Sequence, residues 1–139
     1  MATSRMLDED LETLYLSAIY QIQLPAALVR FRIGEPVPSR PFALITAYNP
    51  GRARPSAEEN ASANERLESV IRSRGYTVAP AVGQSPDGGH SEPSFAVFEI
   101  PFAVAVKLAK DFAQGAFVWF DGDVARLAWT DERADGGAT

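Results

Sequence analysis

Phe42-Ala43-Leu44-Ile45-Thr46-Ala47-Tyr48, followed by Asn49-Pro50-Gly51 and then Ser56-Ala57-Glu58-Glu59-Asn60, decides the fold. The first segment is apolar on both faces, which predicts a central strand covered on both sides. Ser56 and Glu59 have the Ser-x-x-Glu spacing of a capping box, in which each side chain satisfies the other residue's backbone donor. The helix that opens there places Asn60, Ala63, Asn64, Leu67, Val70, Ile71 and Arg74 on one face. Two carboxamides on a core-facing stripe need partners. The end of the Thr46-Ala47-Tyr48-Asn49 segment lies beside them, so this strand-to-helix junction is the candidate site.

Outward from this stretch, the 3.6 period predicts a helix over Leu7–Tyr20, with Leu7, Leu11, Leu14, Tyr15 and Ala18 on one face and Gln21–Pro25 ending it. Leu28–Ile33 alternates as a half-exposed strand, and Gly34–Pro41 is a proline-bearing loop. After the capped helix, Gly75 is the stop signal. Tyr76–Val82 is a strand in which Pro80 points to a sheet edge or bulge. A polar loop over Gly83–Ser91 leads to a second two-faced apolar strand, Ser94–Ile100. Pro101 opens a helix that Gly115 ends. Ala116–Phe120 and Val124–Trp129 form a closing hairpin about Asp121-Gly122.

The fold class is therefore α+β: a mixed or antiparallel sheet of five to six strands with three helices, and a ferredoxin-like βαββαβ core as the expected plan. The Leu28–Ile33 strand strains that plan. Paired with Phe42–Tyr48, it would take an edge that the ferredoxin order gives to another strand. A single domain over 6–130 is expected, with flexible ends over 1–5 and 131–139.

The chain has 139 residues and a formal net charge of −5, which argues against bulk attraction to nucleic acid or anionic membrane. It has no cysteine, which excludes disulfides, thiolate catalysis and cysteine-based zinc sites and fits a cytoplasmic setting. With His90 the one histidine, no metal site and no cofactor are expected. No secretory signal and no membrane-length apolar run is read.

Asn49, Asn60 and Asn64 offer donor and acceptor together, suited to a polar ligand or, equally, to bonding the neighbouring backbone. Arg52 and Arg54 precede a helix N-terminus, where an anion can be held; as part of a wider scatter of arginines they also read as a solvated face. Glu92 stands just before a central strand, where strand ends project into sites. His90, close to Asp87, Glu92 and Ser94, makes only a weak case for acid–base catalysis. Gln114 ends a helix and caps it or reaches the sheet end.

Thr46-Ala47-Tyr48-Asn49-Pro50, Glu59-Asn60 with Asn64 and Leu67, Glu92-Pro93-Ser94-Phe95, and Phe112-Ala113-Gln114-Gly115-Ala116-Phe117 together resemble the bacterial domain-of-unknown-function family 3293. The resemblance spans roughly Tyr15 to Leu127. It implies a small cytoplasmic bacterial protein, supplies no activity, and draws attention to Thr46, Asn49, Asn60, Glu92 and Gln114.

Three readings follow. In the first, a polar pocket of Thr46, Asn49, Asn60, Asn64, Glu92 and Gln114, with Arg52 or Arg54 at its rim, binds a small polar or anionic ligand. In the second, a protein-interaction module, including a homodimer, completes the apolar strands. In the third, a hydrolase or transferase uses Glu92 as general base.

Overall fold

The computed structural model describes residues 11–50 and 54–131. Helix α1 covers residues 11–17 of these, followed by β1 (Ile19–Gln23), β2 (Leu28–Phe31), β3 (Phe42–Ile45), α2 (Ala57–Ser73), β4 (Val78–Gln84), β5 (Ser91–Phe98), α3 (Phe102–Asp111), β6 (Ala116–Phe120) and β7 (Ala125–Trp129). The fold is α+β. The seven strands form one sheet in the order β2-β1-β4-β5-β3-β6-β7, so the expected five to six strands is an undercount. Every neighbouring pair is antiparallel, so the sheet is not mixed.

The extra strand is β1, in the segment expected to finish the first helix. Tyr20 and Ile22 are buried while Gln23 is exposed, the two-residue alternation of a strand. β1 also settles the position of β2. The strand at Leu28–Phe31 pairs with β1 rather than with β3, so β3 keeps β5 and β6 as its neighbours. β4 is likewise not an edge. β1 and β5 flank it, and Pro80 lies one residue beyond the Ile22–Ala81 pair that ends the β1 register. No ladder bond to β1 is asked of the missing N–H there.

All four residues of β3 are buried because the sheet has a core on each face. On one face, Ala43 and Ile45 meet Leu67 and Ile71 of α2 and Ala105 and Leu108 of α3. On the other, Phe42 and Leu44 join Tyr20, Ile22, Phe31, Phe98 and Phe120. The sheet curls around this second, inner core. The Gly34 N–H donates to the Ala125 carbonyl at 2.8 Å, and the Ala125 N–H donates to the Glu35 carbonyl at 2.9 Å. The chain leaving one edge strand is thus tied to the other edge strand, a partial closure that protects otherwise open edges. Tyr15 of α1 packs at one mouth of the curl, and its phenol donates to the Ala116 carbonyl at 2.9 Å. Among the described residues, no helix is long and apolar enough to cross a membrane.

Candidate functional site

α2 starts where its sequence says it should. Ser56 is the N-cap, its hydroxyl accepts from the Glu59 N–H at 3.1 Å, and the Glu59 carboxylate accepts from the Ser56 N–H at 3.0 Å. The apolar stripe of α2 docks on the sheet through Leu67 and Ile71, which brings the buried Asn60 and Asn64 against the end of β3.

Asn64 accepts from the Ala47 N–H at 2.8 Å and donates to the Pro93 carbonyl at 3.0 Å. Thr46 donates to the same Pro93 carbonyl at 2.7 Å and accepts from the Tyr48 N–H at 3.0 Å. Asn60 and Asn49 clamp each other: Asn60 accepts from the Asn49 N–H at 2.9 Å, and its amide donates to the Asn49 side-chain oxygen at 3.0 Å. Asn49 has φ of 45°, a left-handed conformation that asparagine tolerates better than most residues. From the other side, Gln114 donates to the Tyr48 carbonyl at 3.0 Å, and Thr130 holds the Gln114 carbonyl at 2.7 Å. Ala113, at φ 57°, makes the turn out of α3 before the expected stop at Gly115. No buried side-chain polar atom among the described residues lacks a partner.

The structure therefore brings Thr46, Asn49, Asn60, Asn64, Glu92 and Gln114 together. The amides of Asn60, Asn64 and Gln114 are spent on backbone or on Asn49, and they fix residues 46–49 and 93 in place. Next to this framework stands Glu92. Its carboxylate accepts from the Asn49 amide at 3.4 Å and lies 3.9 Å from His90 Nε2, with 27% of the side chain exposed. Across the sheet, Tyr20 of β1 is opposite Gly83 of β4, and Gly83 is opposite Glu92 of β5. Residues in lateral register share a face, so Glu92 turns to the inner side, towards Tyr20. Gly83 leaves room for this. A Cβ there would stand 3.1 Å from the Tyr20 ring.

Burial pushes the Glu92 carboxyl above the usual glutamate range; the charge of His90, the Asn49 hydrogen bond and the charge of Arg54 pull only partly against it. Tyr15 and Tyr20 are its apolar backing. Burial raises both phenols well above their usual range, and the Glu92 charge adds to this. Arg54 is exposed, close enough for its charge to act on Glu92, and Arg52 lies outside the described residues. Among the described residues, no group of three or more His, Asp or Glu side chains is placed to hold a metal ion.

Sequence reading does not place the two tyrosines beside Glu92. Tyr15 read as helix core, and Tyr20 was placed on the helix rather than on a strand. The available signal was Tyr20 and Ile22 flanked by glutamines, a period of two inside a stretch that also fits a helix.

The chain matches no curated protein and no solved structure. A family model described as a protein of unknown function, DUF3293, matches residues 45–117, from the last residue of β3 through α2, β4, β5 and α3 into β6. That match covers more than half of the chain and contains the whole Asn49–Asn60–Glu92–Gln114 junction, and on it the chain belongs to the DUF3293 family.

Proposed function

We propose that this protein is a small binding domain whose ligand site is the mouth of the curled sheet at Glu92. The ligand is a small polar molecule with an N–H or O–H that donates to the Glu92 carboxylate. Asn49 is the second contact, Arg54 stands at the rim, and Thr46, Asn60, Asn64 and Gln114 are positioning residues. The mouth of a curled sheet is a common place for such a site. One observation carries the reading: a mostly buried carboxylate whose hydrogen bond from Asn49 is long, 3.4 Å, in a region where the neighbouring amides are all paired. A group held out of water at a cost, beside a framework built to hold it, is the usual mark of a functional carboxylate.

Two finer readings belong with this one. The order β4-β5-β3-β6, antiparallel throughout and with β5 inserted between β3 and β4, supports a ferredoxin-like core. The family resemblance and a chain without cysteine support a bacterial cytoplasmic setting.

Thermal-shift screening with small polar metabolites tests the binding reading. A ligand at a hundred times its Kd raises Tm by something of the order of 10 °C in a chain this size. The expected hit stabilises the native protein and fails to stabilise Glu92→Gln. A library without a hit, or hits that Glu92→Gln retains, contradicts the reading.

The raised Glu92 carboxyl favours a second reading, a hydrolase or transferase with Glu92 as general base. Its signature is turnover of an ester or phosphoester panel that increases as Glu92 loses its proton and that vanishes in Glu92→Gln.

A further inference from the structure

We propose that the opposite mouth of the sheet is a second, independent binding site, for a small apolar carboxylate recognised by Arg40. A cavity of about 250 Å³ lies where β4 begins and β5 ends. Leu24, Ala79 and Phe98 form its apolar wall, and Ser39, Arg40 and Thr77 form its polar rim. By volume it holds about eight waters, the room a ligand of roughly ten non-hydrogen atoms needs.

The charge at the rim fixes the ligand class. The Arg40 guanidinium lies over the Phe98 ring, 4.6 Å from its centroid. Among the described residues, no carboxylate pairs with it. Glu99 follows Phe98 in the chain, but it meets this loop through its backbone, its N–H donating to the Pro41 carbonyl at 3.0 Å. A planar guanidinium with unspent donors beside an apolar wall suits a carboxylate on an apolar body. The protein's net charge of −5 gives an anion no general attraction, so recognition rests on this one cation.

The cation is also held ready. Arg40 sits between Pro38 and Pro41, which restrict the backbone on both sides. The Ser39 N–H donates to the carbonyl of the buried Val37 at 2.8 Å, and the Phe98 N–H to the Thr77 carbonyl at 3.0 Å. Phe98 is braced edge-on by Phe42, with ring centroids 6.3 Å apart. A site with its backbone and aromatic wall already fixed loses little freedom on binding.

The test is an NMR titration of isotope-labelled protein with benzoate and, separately, with its neutral isostere benzamide. Benzoate is expected to shift the amide signals of Leu24, Thr77, Ala79 and Phe98 saturably, and to bind at least about tenfold tighter than benzamide, the contribution of a charge-assisted hydrogen bond. Arg40→Gln is expected to bring benzoate down to the benzamide level, and Arg30→Ala to leave it unchanged. Arg40 is exposed, and among the described residues its side chain makes no hydrogen bond, so the variant keeps the fold. Absence of shifts at these residues, equal response to the two compounds, or undiminished benzoate binding by Arg40→Gln each overturns the proposal.

Discussion

Glu92 costs this fold stability at neutral pH, because burial disfavours its charged form. Its folded-state pKa is raised, so between the ordinary glutamate value and the folded value the unfolded chain releases this proton first. Stability from this residue is therefore highest at low pH and falls as pH rises through that window. Glu92→Gln removes the ionisation. Urea denaturation is expected to find it more stable than the native protein at neutral pH, with the difference shrinking towards acid; a less stable variant at neutral pH would show that the carboxylate is well paired. Asn64 behaves in the opposite way. Asn64→Ala leaves the Ala47 N–H without its partner and takes one of two donors from the Pro93 carbonyl, a loss of about 2–3 kcal/mol measurable in the same assay. Asn60 and Asn64 were legible as buried carboxamides in need of partners, because amides on an apolar helical stripe must be answered. What answers them was not legible: backbone atoms, rather than an open pocket, take the Asn64 amide.

Elements follow local signals where those signals are unopposed. The Ser56–Glu59 box, the Gly75 stop and the closing hairpin lie where the sequence puts them, whereas the strand expected over 42–48 ends at Ile45, where Thr46 and the α2 carboxamides take over the backbone bonding. Ser56→Ala is expected to cost about 1 kcal/mol in chemical denaturation. β1 was hidden because its apolar positions continue the helical spacing of the preceding stretch, and only its pairing partners, the adjoining β2 and the distant β4, select the strand. Pro80 misled in the same way: a missing donor argues for an edge unless the flanking strand has ended, as β1 has. Gly83 is the element-level test of the site. Gly83→Ala puts a Cβ 3.1 Å from the ring of Tyr20, which is buried and tied through its hydroxyl to the Tyr15 carbonyl and so has little freedom to give; a destabilisation of about 1 kcal/mol is expected, with Tyr20 shifts visible by NMR.

At the scale of the whole molecule, the described residues form a seven-stranded antiparallel sheet curled around an aromatic interior, with α2 and α3 on its outer face. The chain Tyr20–Phe31–Phe42–Phe98 runs across that interior with successive ring centroids 5.6 to 6.3 Å apart. It joins the mouth at Glu92 to the mouth at Arg40. The acidic group sits at one end and the cation at the other, with a rigid core between. The α+β class could be read from the sequence, but the curl could not, because it depends on Gly34 and Glu35 meeting Ala125 across most of the chain.

The proposed site stands or falls with Glu92 being held largely out of water beside Asn49 and the two tyrosines. Its most direct test is a carbon-detected NMR titration of the Glu92 side-chain carboxyl. A midpoint above the ordinary glutamate range is expected. A midpoint at or below that range would contradict it.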